Sequence, residues 1–338
     1  MKKINKILVA TMALLAIESG SLFAKAKKTI IVGSANGGGS RLFQGLIAVA
    51  KETGLIDEEF SKLGYKTEYQ TFENGVAVNE AFLANEVDFA YIGDVPGITG
   101  LSNNVGSVWI GSDLGISTLG VAVHPTSTAT KASDFIGKTV AVNIGTNAHL
   151  LYGKYFDAAG ISTDKFNTVN LTLANAALAV ATGNADVAIG DVTVLLPLEK
   201  KGELKLIFTT LEKPEWASQL LLLGNKKLLK KNPELGVAFL KAIIRARLEI
   251  EKNPDAYYGI ISANALANDL DIAKKLFNPD GKLSALNPEI TASSISRAQS
   301  LDDYFYSIGR LGAKKDVKTF IDTSYYEKAA KELGVGKF

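Results

Sequence analysis

Two aspartates stand in matching tetrapeptides. Ile92-Gly93-Asp94-Val95 recurs as Ile189-Gly190-Asp191-Val192, each after an apolar run and ahead of a helical stretch. A second pair of turns lies upstream. Val32-Gly33-Ser34 is followed by Asn36, and Ile144-Gly145-Thr146 by Asn147. Asp, Asn, Ser and Thr at such places cap the next helix by accepting bonds from its free N–H groups. Glycine lets the backbone turn sharply and come close to a ligand. The free N–H groups of a helix start can also hold an anion without any arginine. Two such sets facing each other would make an anion-binding crevice. Ordinary turn chemistry is the competing reading, because Gly and Asp are common turn residues.

Gly145, Thr146 and Asn147 are the expected anion contacts, with Ser34 and Asn36 facing them from the other half. Gly38, Gly93 and Ser117 complete the small and polar candidates. Arg41 follows the run Gly37-Gly38-Gly39. It could pair with an acid bidentately or stand solvated on its helix. Asp94 and Asp191 are expected at the crevice, as ligand contacts or as caps only. Two carboxylates would repel an anion unless the ligand also carries an amine, so a taurine-like zwitterion would suit. His149 lies one turn into a helix and could sense pH, touch the ligand or simply pack. Trp216 could line a hinge or sit in a core.

Catalytic groups are scarce. The chain has no cysteine, and its two histidines, His124 and His149, are far apart in sequence. It carries no Gly-x-Ser-x-Gly, no His-Glu-x-x-His and no Gly-Lys-Ser/Thr phosphate loop. Zinc or iron–sulfur sites built on thiolates are ruled out. A non-catalytic binder is expected, with neither cofactor nor metal.

The elements that must carry these turns follow from periodicity. Strands are predicted over 29–32, 67–72, 89–92, 108–111, 119–123, 139–143, 169–171, 187–189, 204–208 and 220–223. Helices are predicted over 41–53, 76–84, 150–159 and 174–182. Strands alternating with helices give an α/β fold with mostly parallel sheets covered on both faces. In open sheets of this kind, ligands lie outside the carboxyl ends of the strands. After Gly224 the strand signals stop. Helices are predicted over 235–252, 256–265, 295–311 and 326–333, separated by Asn253-Pro254, Pro279-Asp280 and Asn287-Pro288. Such a helical tail must pack on something already built.

Lys2, Lys3 and Lys6 precede an apolar run over 7–17, and Ala24-Lys25-Ala26 ends the stretch. This is the pattern of a secretory signal peptide over 1–26, with an apolar run short for a membrane span. A lipid-modified cysteine is excluded. Export to the periplasm is expected, as a free monomer. The full chain has 37 basic and 35 acidic residues. Without Lys2, Lys3, Lys6, Lys25 and Glu18, 33 basic and 34 acidic remain, formally −1. A near-neutral body gives no reason to expect nucleic acid.

Three blocks carry a family resemblance. They are Gly75 to Pro96; Val121-Ala122-Val123-His124-Pro125 with Ala132 to Val142; and Gly145-Thr146-Asn147-Ala148-His149-Leu150. Over about 67–202 the chain resembles the periplasmic substrate-binding proteins of importers for nitrate, aliphatic sulfonates and taurine. These are a branch of the type II periplasmic-binding-protein fold. Members often have Trp-Asp-Pro where this chain has Gly190-Asp191-Val192, and Gly37-Gly38-Gly39 is unusual for them. The resemblance implies two lobes joined by two crossover strands, 27–120 with 219–338 and 121–218. It further implies a small anionic ligand between the lobes, hinge closure, and an ABC-importer permease that reads the closed form. Enzymes similar to thiamine-pyrimidine synthases, and sensory ligand-binding domains, share the fold and stand as alternatives.

Overall fold

The computed structural model describes residues 28–35, 43–265, 269–278 and 281–338. Among these residues ten strands form two sheets of five. The first sheet holds β1 (Lys28–Ala35), β2 (Tyr65–Phe72), β3 (Phe89–Gly93), β4 (Ser107–Ser117) and β10 (Ser218–Asn225), in the order β2-β1-β3-β10-β4. The second holds β5 (Leu119–Val123), β6 (Thr139–Val142), β7 (Asn167–Asn170), β8 (Val187–Asp191) and β9 (Lys205–Thr209), in the order β7-β6-β8-β5-β9.

One strand in each sheet runs against its neighbours. β10 is antiparallel to β3 and β4, and β5 is antiparallel to β8 and β9. These are the two strands by which the chain enters a sheet from the other one. The remaining pairs, β1 with β2 and β3, and β6 with β7 and β8, are parallel. The chain therefore passes between the sheets twice, from Ser117 to Leu119 and from Thr209 to Ser218. Ser117 and Ser218 are register partners.

Both faces of the central strands are covered, so those strands read as unbroken apolar runs rather than alternating ones. All eight residues of β10 are buried, as are all five of β5. The helices are α1 (Gly45–Glu52), α2 (Leu55–Lys62), α3 (Gly75–Ala84), α4 (Asp94–Ser102), α5 (Asn147–Asp157), α6 (Leu173–Ala181) and α7 (Val192–Lys200). The tail adds α8 (Lys226–Lys231), α9 (Pro233–Lys252), α10 (Pro254–Ala265), α11 (Leu270–Phe277), α12 (Ala292–Ser307) and α13 (Ser324–Leu333).

The tail completes the first sheet's core. Leu235, Phe239, Ile243, Ala246 and Ile250 of α9 recur every three or four residues and are all buried, one helix face against the sheet. Phe239 stacks on Phe89 of β3 at 4.6 Å between ring centroids, and Phe60 of α2 lies 5.6 Å from Phe89. A second cluster joins Val95, Ile98 and Leu101 of α4 to Ala298, Leu301 and Phe305 of α12.

The expected α/β architecture and helical tail are present. The helices that apolar periodicity did not give are short and polar-rich, such as α2 and α11, or begin at a turn residue, as α4 does at Asp94. The helix predicted over 150–159 starts at Asn147, because its first turn is capping sequence rather than apolar repeat. Among the described residues no helix is long and apolar enough to cross a membrane.

Candidate functional site

A cavity of about 110 Å³ opens between the two sheets, beyond the carboxyl ends of their parallel strands. One water needs about 10–15 Å³ on this measure, so the space takes a molecule of several non-hydrogen atoms. Five helices begin at it. The residues preceding their first turns, Gln44 (α1), Asn74 (α3), Gly93 (α4), Thr146 (α5) and Asp191 (α7), all line it.

Four of these starts already have an acceptor. Asp113 Oδ1 accepts the Ile47 N–H of α1 at 2.7 Å. Asn74 accepts from Val76 and Ala77 at 2.9 and 3.1 Å. Asp191 accepts from Thr193 N–H at 2.8 Å. The Val95 N–H of α4 donates to Asn147 Oδ1 at 3.1 Å, across from the other half. The start of α5 alone has no side-chain acceptor among the described residues. Thr146 turns its hydroxyl back to donate to Asn143 O at 2.6 Å. The Asn147 and Ala148 N–H groups, beside Thr146 in the cavity wall, are the ones left to an anion, since those of His149 and Leu150 donate to Thr146 O.

The rest of the wall is largely apolar: Tyr91, Leu119, Leu173, Val194 and Leu220, with Asn143 and Thr193 between them. No Lys, Arg or His is among the described lining residues. The Asp191 carboxyl does border the space. Burial pushes its pKa up, against the hydrogen bonds from Thr193 and Ser117 that pull it down.

The structure brings Gly93, Thr146, Asn147 and Asp191 together at this cavity. Gly145 stands one residue behind it, at φ +82°. Ser117 is buried at the edge and donates its hydroxyl to Asp191 Oδ2 at 2.9 Å. Ser34 is fully buried beneath the wall, in register with Tyr91.

Two candidates point elsewhere. The Asp94 carboxylate is turned to β10, where it accepts from the Ser218 hydroxyl and from Gln219 N–H at 3.2 Å. Burial raises its pKa. Its crossing strand supplies better partners than the crevice does. His149 stacks on Tyr152 at 6.1 Å and accepts from Gly145 N–H at 3.4 Å through Nδ1. Burial and then Arg310 hold its pKa down, so it braces the turn as a neutral ring. Asn36, Gly38 and Arg41 lie outside the described residues. Trp216 sits in the second crossing, 5.7 Å from Phe208 and under the Lys213 ammonium, away from the cavity.

Comparison with known proteins agrees with this fold. The model of the family described as NMT1/THI5 like matches residues 46–257. The chain belongs to the NMT1/THI5-like family. A Bacillus subtilis (strain 168) protein named for binding aliphatic sulfonates is 27% identical over 296 residues, covering 86% of each chain. The periplasmic sulfonate-binding protein SsuA of Methylobacillus flagellatus KT superposes with a TM-score of 0.71. It shows 21% identity and covers 91% of this chain and 95% of that one. The desulfurization enzyme DszB, solved as a cysteine-to-serine mutant with biphenyl-2-sulfinic acid, superposes at 0.68. Its identity is 13%, covering 90% of this chain and 99% of that one. The type II two-sheet fold is thus common to binders and to an enzyme.

In this NMT1/THI5-like chain several lining residues escape sequence reasoning. Asn74 carried a usable cue, since it follows strand β2 in an Asn-Gly turn just as Asn147 follows a Gly-Thr turn. Leu119, Leu173 and Leu220 carried none. Each reads as a core residue, and only the meeting of the two sheets exposes it to the crevice.

Proposed function

We propose that the chain is the exported solute-binding component of an ABC importer, holding a small organic anion of the sulfonate class in this cavity for a membrane permease. We take 27–120 with 219–338 as one lobe and 121–218 as the other, with 1–26 as the export signal. Ligand binding would favour the closed arrangement of the lobes.

One observation carries the ligand class: the uncapped start of α5 faces apolar Leu119, Leu173 and Val194 across a single small cavity. An acid head suits the first and a short carbon body the second. Inorganic nitrate would leave the apolar wall without a partner. An amine on the ligand would find the Asp191 carboxyl, which supports a taurine-like zwitterion within the class. The names of the B. subtilis relative and of SsuA support the same reading. A desulfurizing reaction on the DszB pattern has less support, because this chain has no cysteine.

A thermal-shift panel of ethanesulfonate, taurine, nitrate, acetate and phosphonates tests the class, since a ligand bound only by the folded state raises the melting temperature. At least one sulfonate should do so. Hits confined to cations or sugars would overturn the reading. Thr146→Trp, which fills the cavity but removes no side-chain cap, should abolish the shift while the circular dichroism spectrum is kept.

A further inference from the structure

A second and larger cavity, of about 470 Å³, lies on the other side of the seam between α4 and α5. It shares no lining residue with the first. One wall is α5, which follows the second sheet, and the opposite wall is α12 of the tail. The crossing segment at Glu215 and Ala217 forms the floor. The walls meet where Tyr304 Oη comes within 3.0 Å of where a Cβ on Gly153 would stand.

Two cations face this space. The Lys154 ammonium makes no hydrogen bond or ion pair with any described residue, and burial, then Arg297, lower its pKa against the pull of Asp94 and Glu215. Arg297 donates through Nη1 to Ala217 O and forms no ion pair among the described residues. Asp94 and Glu215 line the same space and attract the Lys154 ammonium from beyond ion-pair distance. Asp94 is held by the Ser218 hydroxyl and the Gln219 N–H, and Glu215 is exposed. A half-buried ammonium beside a guanidinium, with no described carboxylate within ion-pair distance, gains from an anion that joins them. The Ser296 and Ser300 hydroxyls line the same space, one helical turn apart on α12.

We propose that this second cavity binds a small tetrahedral oxyanion between Lys154 and Arg297, with sulfate or phosphate chemistry. The guanidinium offers a planar fork and the ammonium a point charge, the pair of donors that suits such an ion. Because the donors belong to α5 and α12, the bound ion ties the second sheet's helices to the tail. The site stands whether or not the first cavity takes a sulfonate.

The test is isothermal titration of the full chain with sodium sulfate and, separately, sodium phosphate, each at ionic strength held constant with chloride. Saturable binding is expected for at least one ion. Lys154→Gln should weaken it about tenfold or more, the worth of a charge-assisted bond, and Lys154→Arg should recover most of it. Arg297→Gln should act alike; should that variant fail to fold, the Lys154 pair decides alone. Thr146→Trp, which blocks the first cavity, should leave the binding unchanged. No saturable binding of either ion would overturn the proposal. So would binding that Thr146→Trp removes and Lys154→Gln does not.

Discussion

Asn147 Oδ1 accepts the Val95 N–H at 3.1 Å, so a residue that opens a helix on one sheet caps the first turn of a helix on the other. The approach depends on Gly93. A Cβ there would lie 2.4 Å from Asn147 Nδ2 and 2.7 Å from Oδ1. The contact joins the two halves directly at the cavity wall.

Gly93→Ala should therefore push the halves apart while its own backbone, at φ −62°, tolerates the methyl group. Overpacking of this kind costs about 1–3 kcal/mol, so sulfonate affinity should fall about tenfold. Asn147→Ala in the same chain should restore part of it by making room. Titration calorimetry on the single and double variants reads the difference.

Asp191→Asn should separate ligands by their amine. The amide can still cap α7 through its oxygen, but it offers no charge to an ammonium. Taurine affinity should fall about tenfold, and ethanesulfonate affinity should hold or rise. Competition between the two sulfonates measures this on one sample.

Asp113 gives a pH dependence. It is fully buried, and burial pushes its carboxyl from 3.8 up to about 8, against the N–H groups of Ile47 and Leu46. The folded state thus keeps a proton that the unfolded chain releases. Stability from this group is fully present below pH 3.8 and is lost as pH rises to about 8. Asp94 and Asp191 are shifted the same way. The urea midpoint should fall between pH 5 and pH 8, and Asp113→Asn should reduce that fall without removing it.

Gly45→Ala should report on the same cap. The residue has φ +63°, and a Cβ would stand 1.9 Å from Asp113 Oδ2. The left-handed backbone alone costs about 1–2 kcal/mol. A urea melt should show at least that loss.

The sequence was most readable where local chemistry decides structure. The turns at Gly93, Gly145 and Gly190 mark strand ends because helix capping is written in adjacent residues. It was least readable where two distant segments meet. The repeated Ile-Gly-Asp-Val reads as one device used twice, yet Asp191 borders the cavity while Asp94 faces β10. The difference lies in Ser218 and Gln219, more than a hundred residues away, and no local pattern announces them. Lys154 and Arg297 were equally silent, since each reads as an ordinary polar helix position until the tail folds back beside α5.

Each aspartate of that repeat grips one serine where the chain changes sheets, Asp94 on Ser218 and Asp191 on Ser117, and those two serines are paired with each other. In the two-lobe reading proposed above they would be the fulcrum. A swing of one half about it would barely move the serines but would part Val76 from the Gly145 turn, where Val76 Cγ2 now lies 3.4 Å from the place of a Cβ. Dyes on cysteines introduced at Val76 and Ile144 should change their energy transfer as ligand is added, whereas a pair set beside the two serines should stay silent.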